Sequence, residues 1–402
     1  MIIWTVHGRD GRATASCMVF FLLHSSGMER DIFLVGTGQT RFGEWWDKSL
    51  RELIEEAVRN AIKASGLTSL DIDMVVVGNM LAQQSNNQAH LGALTAQMLP
   101  HHPPALRVEA ACASGAVALH TACALLESKR AETVLVVGVE KMTDASTEDV
   151  SQALMGAADS ELDLPSGLTF PGIFGLIAKR YMHEYGLTRE QLSIVSSLHH
   201  RHGAANPFAQ FRAAIAPETI SESSPVADPL RLLDCSPISD GAAACILSTT
   251  HRSGLRLAAS QLATDHVSIA ERATITSFNA SKEAMEHALR EADIDRNEIA
   301  ALETHDCFSI AALMNLEDLG FAEPGEGIRL YENLYHGKKS SLMINRSGGL
   351  KACGHPVSAT GIKQLSDTAK ALMAQKKQWG LAHNFGGACA TCGIHVLENL
   401  DA

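Results

Sequence analysis

The sequence predicts an α/β protein made of two similar halves, and three observations carry that prediction. The chain has 402 residues, more than one small core usually organises, so two related domains or one compound domain is the starting expectation. A strand–helix–strand unit opens its folded part, and a unit with the same order of events recurs in the second half. Between them, residues 143–230 have a different texture, with helical pieces set among Pro-, Ser- and Asn-rich turns.

The folded part begins with a short β-rich run, Asp31–Gly36. Ser49 followed by Glu52 reads as a capping box that opens a helix. Leu50, Leu53, Ile54, Ala57, Val58, Ala61 and Ile62 then recur at spacings of three and four, one apolar helix face. After Gly66 and Asp71-Ile-Asp73, the uninterrupted apolar run Met74–Val77 predicts a strand covered on both faces. An apolar helix over Ala116–Leu126 and a strand over Val134–Val137 follow. In the second half Thr274–Thr276 reads as strand, Ser281–Ala292 as helix, Ile294-Asp295 as turn and Ile299–Leu302 as strand. Duplication of one unit explains the recurrence economically, and coincidence is the alternative. Helical pieces at Leu176–Tyr185 and Arg189–His199 mark residues 143–230 as an inserted loop domain, the kind of segment that carries substrate contacts. Residues 1–28 read as a non-core extension, with Met28 as an alternative start. Arg9 and Arg12 ahead of the apolar run Cys17–Leu23 form only a weak signal-peptide pattern, because the run is short and lacks a clean small-x-small cleavage site.

A formal net charge of −12 without any basic stripe argues against a nucleic-acid partner. It leaves room for an anionic cofactor held in a local basic pocket. No segment reaches the ~18 apolar residues of a membrane span. The 9 cysteines are scattered singly and odd in number, as expected for reduced thiols. Cys389-Ala-Thr-Cys392 has no second metal pair beside it, so neither zinc nor redox use is expected there.

Four stretches carry chemistry. Val108-Glu-Ala-Ala-Cys112-Ala-Ser-Gly115 places a thiol at the start of a buried helix, where free N–H groups and the macrodipole lower a thiol pKa. A buried structural cysteine is the equally ready alternative. Glu303-Thr-His305-Asp-Cys307-Phe308 ends a strand, and residues two apart on extended backbone point the same way. That places an oxyanion donor and a proton-moving thiol toward one cavity, unless the stretch is a plain polar strand end. Asn345-Arg-Ser-Gly348-Gly349 and Cys353-Gly354-His355-Pro356 display His355 at a glycine-rich turn as a general base. His383-Asn384-Phe385-Gly386-Gly387 aims backbone N–H groups at a developing oxyanion, or forms a simple tight turn.

Together and in this order, these stretches resemble the thiolase superfamily over residues 30–397, as do Gly138-Val-Glu-Lys-Met142 and Ser239-Asp-Gly-Ala-Ala243. His305-Asp-Cys-Phe308 resembles the sterol-carrier-protein-type members. Gly167-Leu-Thr-Phe-Pro171, Arg180-Tyr-Met-His-Glu184 and Asn206-Pro-Phe-Ala-Gln-Phe211 resemble the archaeal-type acetoacetyl-CoA thiolases. The resemblance implies five layers, α-β-α-β-α, with an N-terminal domain over 29–258 carrying loop domain 143–230, and a C-terminal domain over 259–402. It implies an acyltransferase that makes or cleaves short 3-ketoacyl-CoA thioesters, in a direction the sequence leaves open. Cys112 would be the acylated nucleophile, His355 its base, Cys307 the second catalytic cysteine and His305 the donor to the second thioester. The backbone N–H groups of Cys112 and Gly386 would hold the acyl carbonyl. Coenzyme A thioesters would be the only cofactor, with no metal, and Lys179, Arg180, Arg201 and Arg212 are unranked candidates for its phosphates. A cytoplasmic homodimer or tetramer is implied, with a small zinc-ribbon/OB-fold protein and a hydroxymethylglutaryl-CoA synthase as partners. A β-ketoacyl synthase or polyketide-type condensing enzyme and a non-catalytic acyl-CoA-binding scaffold are the alternatives. Three departures stand out: Ser358 where the family has Gly, expected to narrow the loop beside His355, Ala312 where a Glu often stands, and Asn384-Phe385 where other thiolases place their second cysteine.

Overall fold

The computed structural model describes Met28 and residues 30–402. The expected extension, with its Cys17–Leu23 run, lies outside the described residues apart from Met28. Ten strands form the main sheet: β1 (Ile32–Gln39), β2 (Met74–Gly78), β3 (Ala105–Val108), β4 (Thr133–Glu140), β5 (Gly241–Ser248), β6 (Leu255–Thr264), β7 (Ile299–Glu303), β8 (Met343–Ile344), β9 (Trp379–Gly386) and β10 (Thr391–Asn399). Their order is β8-β7-β9-β10-β6-β1-β5-β4-β2-β3. Each of the first five has its counterpart five strands later, on the opposite side of the β1–β6 junction. The pairings repeat as well. β1–β5 and β5–β4 are antiparallel while β4–β2 and β2–β3 are parallel, and β6–β10, β10–β9, β9–β7 and β7–β8 follow the same sequence. The halves meet through Ile32↔Leu257 and Phe33↔Arg256.

The helices that matter for the site are α1 (Leu50–Ser65), α2 (Ser114–Glu127), α3 (Phe170–Tyr185), α4 (Arg189–Gly203), α5 (Asn279–Ala292), α6 (Ser309–Asp318), α7 (Gly349–Cys353) and α8 (Thr360–Gln375). α1 starts at the expected capping box, with Ser49 and Glu52 bonding each other's backbone. Its apolar stripe covers β1, β4 and β5 from outside, while α5 covers β6 and β10. α2 and α8 each touch strands of both halves, so they form the central layer. α2 can lie there because its sequence, Ser-Gly-Ala-Val-Ala-Leu-His-Thr-Ala-Cys-Ala-Leu-Leu-Glu, is apolar on nearly every side. The result is the expected five-layer arrangement.

Two expectations are corrected. Thr274–Thr276 is no strand: the Thr276 N–H finds a local partner in the Thr274 hydroxyl (3.2 Å), and the Thr276 hydroxyl donates to the distant Glu184 of α3 (2.8 Å). The strand that repeats β1 is β6, and it runs through residues 258 and 259, so the division between halves falls in the loop before it. Between β4 and β5 lie α3, α4 and a small ribbon pairing Pro225–Ala227 with Leu230–Arg231. Both helices exceed their expected lengths. Thr169 caps α3 with Pro171 in its first turn, and Thr188 caps α4 through a box with Gln191. α3 packs on α6, and α4 packs on α6 and α7, which places the inserted segment over the second half.

Candidate active site

Cys112 sits on the turn between β3 and α2. Ala111 holds φ +51°, a left-handed conformation that costs a non-glycine residue roughly 1–3 kcal/mol and turns the next side chain out of line. Ser114 secures the turn: its hydroxyl donates to the Ala111 carbonyl (2.6 Å) and accepts from the Ala110 N–H (2.9 Å). The start of α2 meets the start of α8 at backbone distance. A Cβ on Gly361 would lie 2.6 Å from the Ala116 nitrogen, and one on Gly115 would lie 2.4 Å from the Ser358 carbonyl oxygen.

His355 precedes α8. Its backbone N–H donates to the Ser239 hydroxyl (3.0 Å), and Ser239 in turn donates to Gln210 (2.6 Å). Its Nδ1 lies 2.8 Å from the Thr360 hydroxyl, which itself donates to the Pro356 carbonyl (3.3 Å). Thr360 therefore accepts from Nδ1–H, and Nε2 keeps a free lone pair. That Nε2 is buried without a partner.

His305 and Cys307 follow β7 on a segment stitched to residues 345–351. Thr304 exchanges hydrogen bonds with the Asn345 amide (2.7 and 3.1 Å), and Glu303 accepts from Ser347 N–H and hydroxyl (3.0 and 2.6 Å). Asp306 accepts from the Leu350 N–H at 2.7 Å, capping α7, and pairs with His199 of α4 at 2.7 Å. Phe308 stacks on Phe174 of α3 at 4.5 Å, and the His305 ring lies 4.2 Å from Phe385. The Asn384 amide donates to His305 Nδ1 (2.9 Å), so the ring proton is on Nε2, also buried and unpartnered. The two histidines are thus wired oppositely, one as acceptor and one as donor.

The three stretches converge. The Cys112 sulfur and one ring nitrogen each of His305 and His355 lie within 4.8 Å of one another, and the two rings are 5.0 Å apart at 86°. The Cys307 thiol is close enough for the charge of Cys112 to weigh on it. Burial pushes the Cys112 thiol up to about 12, with Glu140 and Glu109 adding to the effect and the N–H groups of Gly387 and of Cys112 opposing it. The helix-start expectation of a lowered thiol pKa is therefore corrected, because desolvation outweighs the donors at this terminus. Burial holds His355 down to about 4 and His305 well below the ordinary imidazole range, and pushes Cys307 well above the usual thiol value. All four groups rest neutral near pH 7, and a thiolate forms only as its proton moves.

Other candidates are distributed unevenly. Gly387 supplies the N–H that reaches the Cys112 sulfur, while Gly386 beside it packs onto Ala110 and Ala113. Ser358 turns its hydroxyl to Glu140 (2.7 Å), a buried carboxylate that also accepts from the Met80 N–H (2.6 Å). Ala312 is fully buried in α6. Cys353 is buried, its thiol on the Ser347 carbonyl (3.0 Å). Lys179 pairs with Asp228, Arg180 with Glu184, and Arg201 stacks on Tyr335 while donating to the Tyr335 and Leu334 carbonyls. Arg212 is exposed. Gly387 belongs to the glycine pair expected to aim N–H groups into the site, whereas the roles of Asn384, Ser239 and Thr360 as partners of the two histidines went unnoticed in sequence. Only Thr360, about one helical turn past His355, carried a readable signal.

Known proteins give the same picture. Residues 32–251 match the family profile described as the thiolase N-terminal domain, and residues 262–399 match the thiolase C-terminal domain-like profile. An acetyl-CoA acetyltransferase of Methanothermobacter thermautotrophicus is 41% identical over 383 residues, covering 92% of this chain and 100% of that protein. Human sterol carrier protein 2 is 31% identical over 388 residues, covering 89% of this chain and 70% of that protein. Among solved structures, an Ltp2-ChsH2(DUF35) aldolase superposes with a TM-score of 0.78 at 22% identity, covering 92% of this chain and 98% of that chain. Human mitochondrial 3-ketoacyl-CoA thiolase in complex with CoA superposes with a TM-score of 0.71 at 18% identity, covering 93% and 99%. At these identities the structures speak for the fold alone.

Proposed function

Because the chain belongs to the thiolase family, we propose that it is a short-chain acetyl-CoA C-acyltransferase, making or cleaving acetoacetyl-CoA through an acetyl group carried on Cys112. The observation that carries this reading is the convergence of one thiol with two oppositely wired histidines. The acetyl specificity is supported by two archaeal acetyl-CoA acetyltransferases, 41% and 40% identical to this chain.

In the first half-reaction the Cys112 sulfur attacks the thioester carbonyl as His355 Nε2 takes its proton. The imidazolium then returns that proton to the departing coenzyme A sulfur. With the thiol at about 12 and His355 at about 4, proton transfer and attack have to run together. The N–H groups of Cys112 and the Gly386-Gly387 turn receive the carbonyl oxygen. In the second half-reaction the Cys307 proton passes to His355 Nε2, and the resulting thiolate takes the α-proton of the second acetyl-CoA while His305 Nε2–H donates to its thioester oxygen. The enolate carbon attacks the acetyl carbonyl and expels the Cys112 sulfur, which takes the proton back from His355. A thiol raised by burial matches a weak carbon acid better than an ordinary one. One oxyanion donor of this kind contributes roughly 3 kcal/mol. The same groups serve thiolysis in reverse.

Coenzyme A phosphates are assigned to the inserted segment, with Arg212 the strongest of the four candidates because the other three are already engaged. A cytoplasmic homodimer or tetramer, with a small zinc-ribbon/OB-fold partner and a hydroxymethylglutaryl-CoA synthase, is carried over from the archaeal-type resemblance. Among the described residues no helix is long and apolar enough to cross a membrane.

Acetoacetyl-CoA thiolysis by wild type, Cys112→Ala and Cys307→Ala tests the reading. Both variants should lose turnover by at least on the order of 10⁴-fold. Cys307→Ala should still form a hydroxylamine-labile acetyl-enzyme from acetyl-CoA, and Cys112→Ala should not. An inactive wild type, or an adduct that survives loss of Cys112, would overturn it.

A further inference from the structure

We propose that Cys112, His305 and His355 also form a binding site for a soft divalent cation such as Zn²⁺, which occupies the acyl-free enzyme and blocks acylation. Among the described residues this is the only group of three such ligands whose donor atoms come together, all within 4.8 Å of one another. Tetrahedral ligation at about 2.1–2.3 Å spaces donors roughly 3.5 Å apart, so a closure of about 1 Å suffices. One thiolate and two imidazoles suit a borderline-soft ion, and a fourth position stays open for water or Cys307.

The surroundings fit as well. Both Nε2 atoms are buried without a partner, and both Nδ1 atoms are already held, by Thr360 and by Asn384. Tethering the second ring nitrogen is what orients a metal-ligating histidine. His355 is ready as it stands, since Nδ1–H donates to Thr360. His305 needs its proton on Nδ1, with Asn384 turned over to present Oδ1, and that oxygen is buried and unpartnered in the structure. Binding releases one proton: the Cys112 S–H bond breaks, a sulfur–zinc bond forms, and the proton leaves to solvent. The metal and an acyl group need the same sulfur, so each excludes the other.

The test titrates the chelator-stripped full-length protein with Co²⁺ and Zn²⁺. Co²⁺ should bind one equivalent and produce a near-ultraviolet thiolate-to-cobalt band with intense tetrahedral bands in the visible, and Zn²⁺ should bleach them. Zn²⁺ should protect Cys112 from carboxamidomethylation, read by peptide mass spectrometry, until a chelator is added. Cys112→Ser should lose the ultraviolet band. Thr360→Val should weaken Co²⁺ binding on the order of tenfold by freeing the His355 ring, and Asn384→Asp should tighten it by a similar factor. The proposal is overturned if Co²⁺ gives no band, if the band persists in Cys112→Ser, or if Zn²⁺ leaves Cys112 equally reactive. A Thr360→Val variant that melts like wild type and binds Co²⁺ equally well would also overturn it. None of these readouts uses acyl-CoA. A chain that binds cobalt yet fails to turn over acetoacetyl-CoA would therefore sink the proposed activity and leave the metal site standing.

Discussion

The two halves share one topology and divide the chemistry between them. In the first half the segment between β3 and α2 presents Cys112, and in the second half the segment between β8 and α8 presents His355. The equivalence reaches single residues. Ser114 and Thr360 are the first residues of α2 and α8, and each hydroxyl donates back to a carbonyl three or four residues earlier, of Ala111 and of Pro356. Gly115 and Gly361 are the second residues, and there the two helices touch. A duplicated unit thus brings two helix starts to one point, one furnishing the nucleophile and the other its base. The segments after β2 and β7 diverge further. Asn79 and Met80 after β2 serve packing, with Asn79 donating to the Val139 carbonyl and the Met80 N–H to Glu140, whereas the turn after β7 delivers His305 and Cys307. Duplication supplied the geometry, and divergence of a few side chains supplied an acid–base asymmetry that a symmetric site would lack.

The sharpest way to break this comparison is to remove the two histidines separately. His355→Ala should slow acetyl-enzyme formation about 10²–10⁴-fold. His305→Ala should leave acetylation near wild type and slow only the condensation step, by about 10²–10³-fold. Single-turnover measurement of each half-reaction reads the split, and equal losses in both steps would mean the two rings are interchangeable.

Gly361→Ala attacks the contact between the halves. Its Cβ would meet the Ala116 nitrogen at 2.6 Å, inside backbone that has nowhere to move, so a loss of about 1–3 kcal/mol in denaturant unfolding is expected. Substitutions on the exposed face of α1 should stay within about 0.5 kcal/mol.

The smallest effect sharpens the assignment of the base. Burial holds His355 at about 4, so its proton-accepting form persists from pH 8 down to near 5. The rate of acetyl-enzyme formation should therefore show its acid limb near pH 4, falling as pH drops through that value. An acid limb near ~6.5, the ordinary imidazole value, would mean that His355 is solvated when it works.

Local chemistry made much of this legible in sequence. The capping box at Ser49 and Glu52, the buried strand at Met74 and the helix over residues 281–292 depend on neighbours a few residues away, and they stand where expected. Thr274–Thr276 misled because β-branched residues favour strands only when a partner strand is present. The low thiol pKa expected of Cys112 failed for a similar reason: a helix start is visible in sequence, but the depth at which it is buried is not.

What the sequence determined by itself is the inventory: which residues carry protons and sulfur, and which turns display them. Tertiary structure decided how those residues are wired. Asn384 meets His305 across 79 positions and Ser239 meets His355 across 116. A ring's donor or acceptor role depends on the group on its other nitrogen: for His355 that is Thr360, five residues on, whereas for His305 it is Asn384, which arrives only when β9 pairs beside β7.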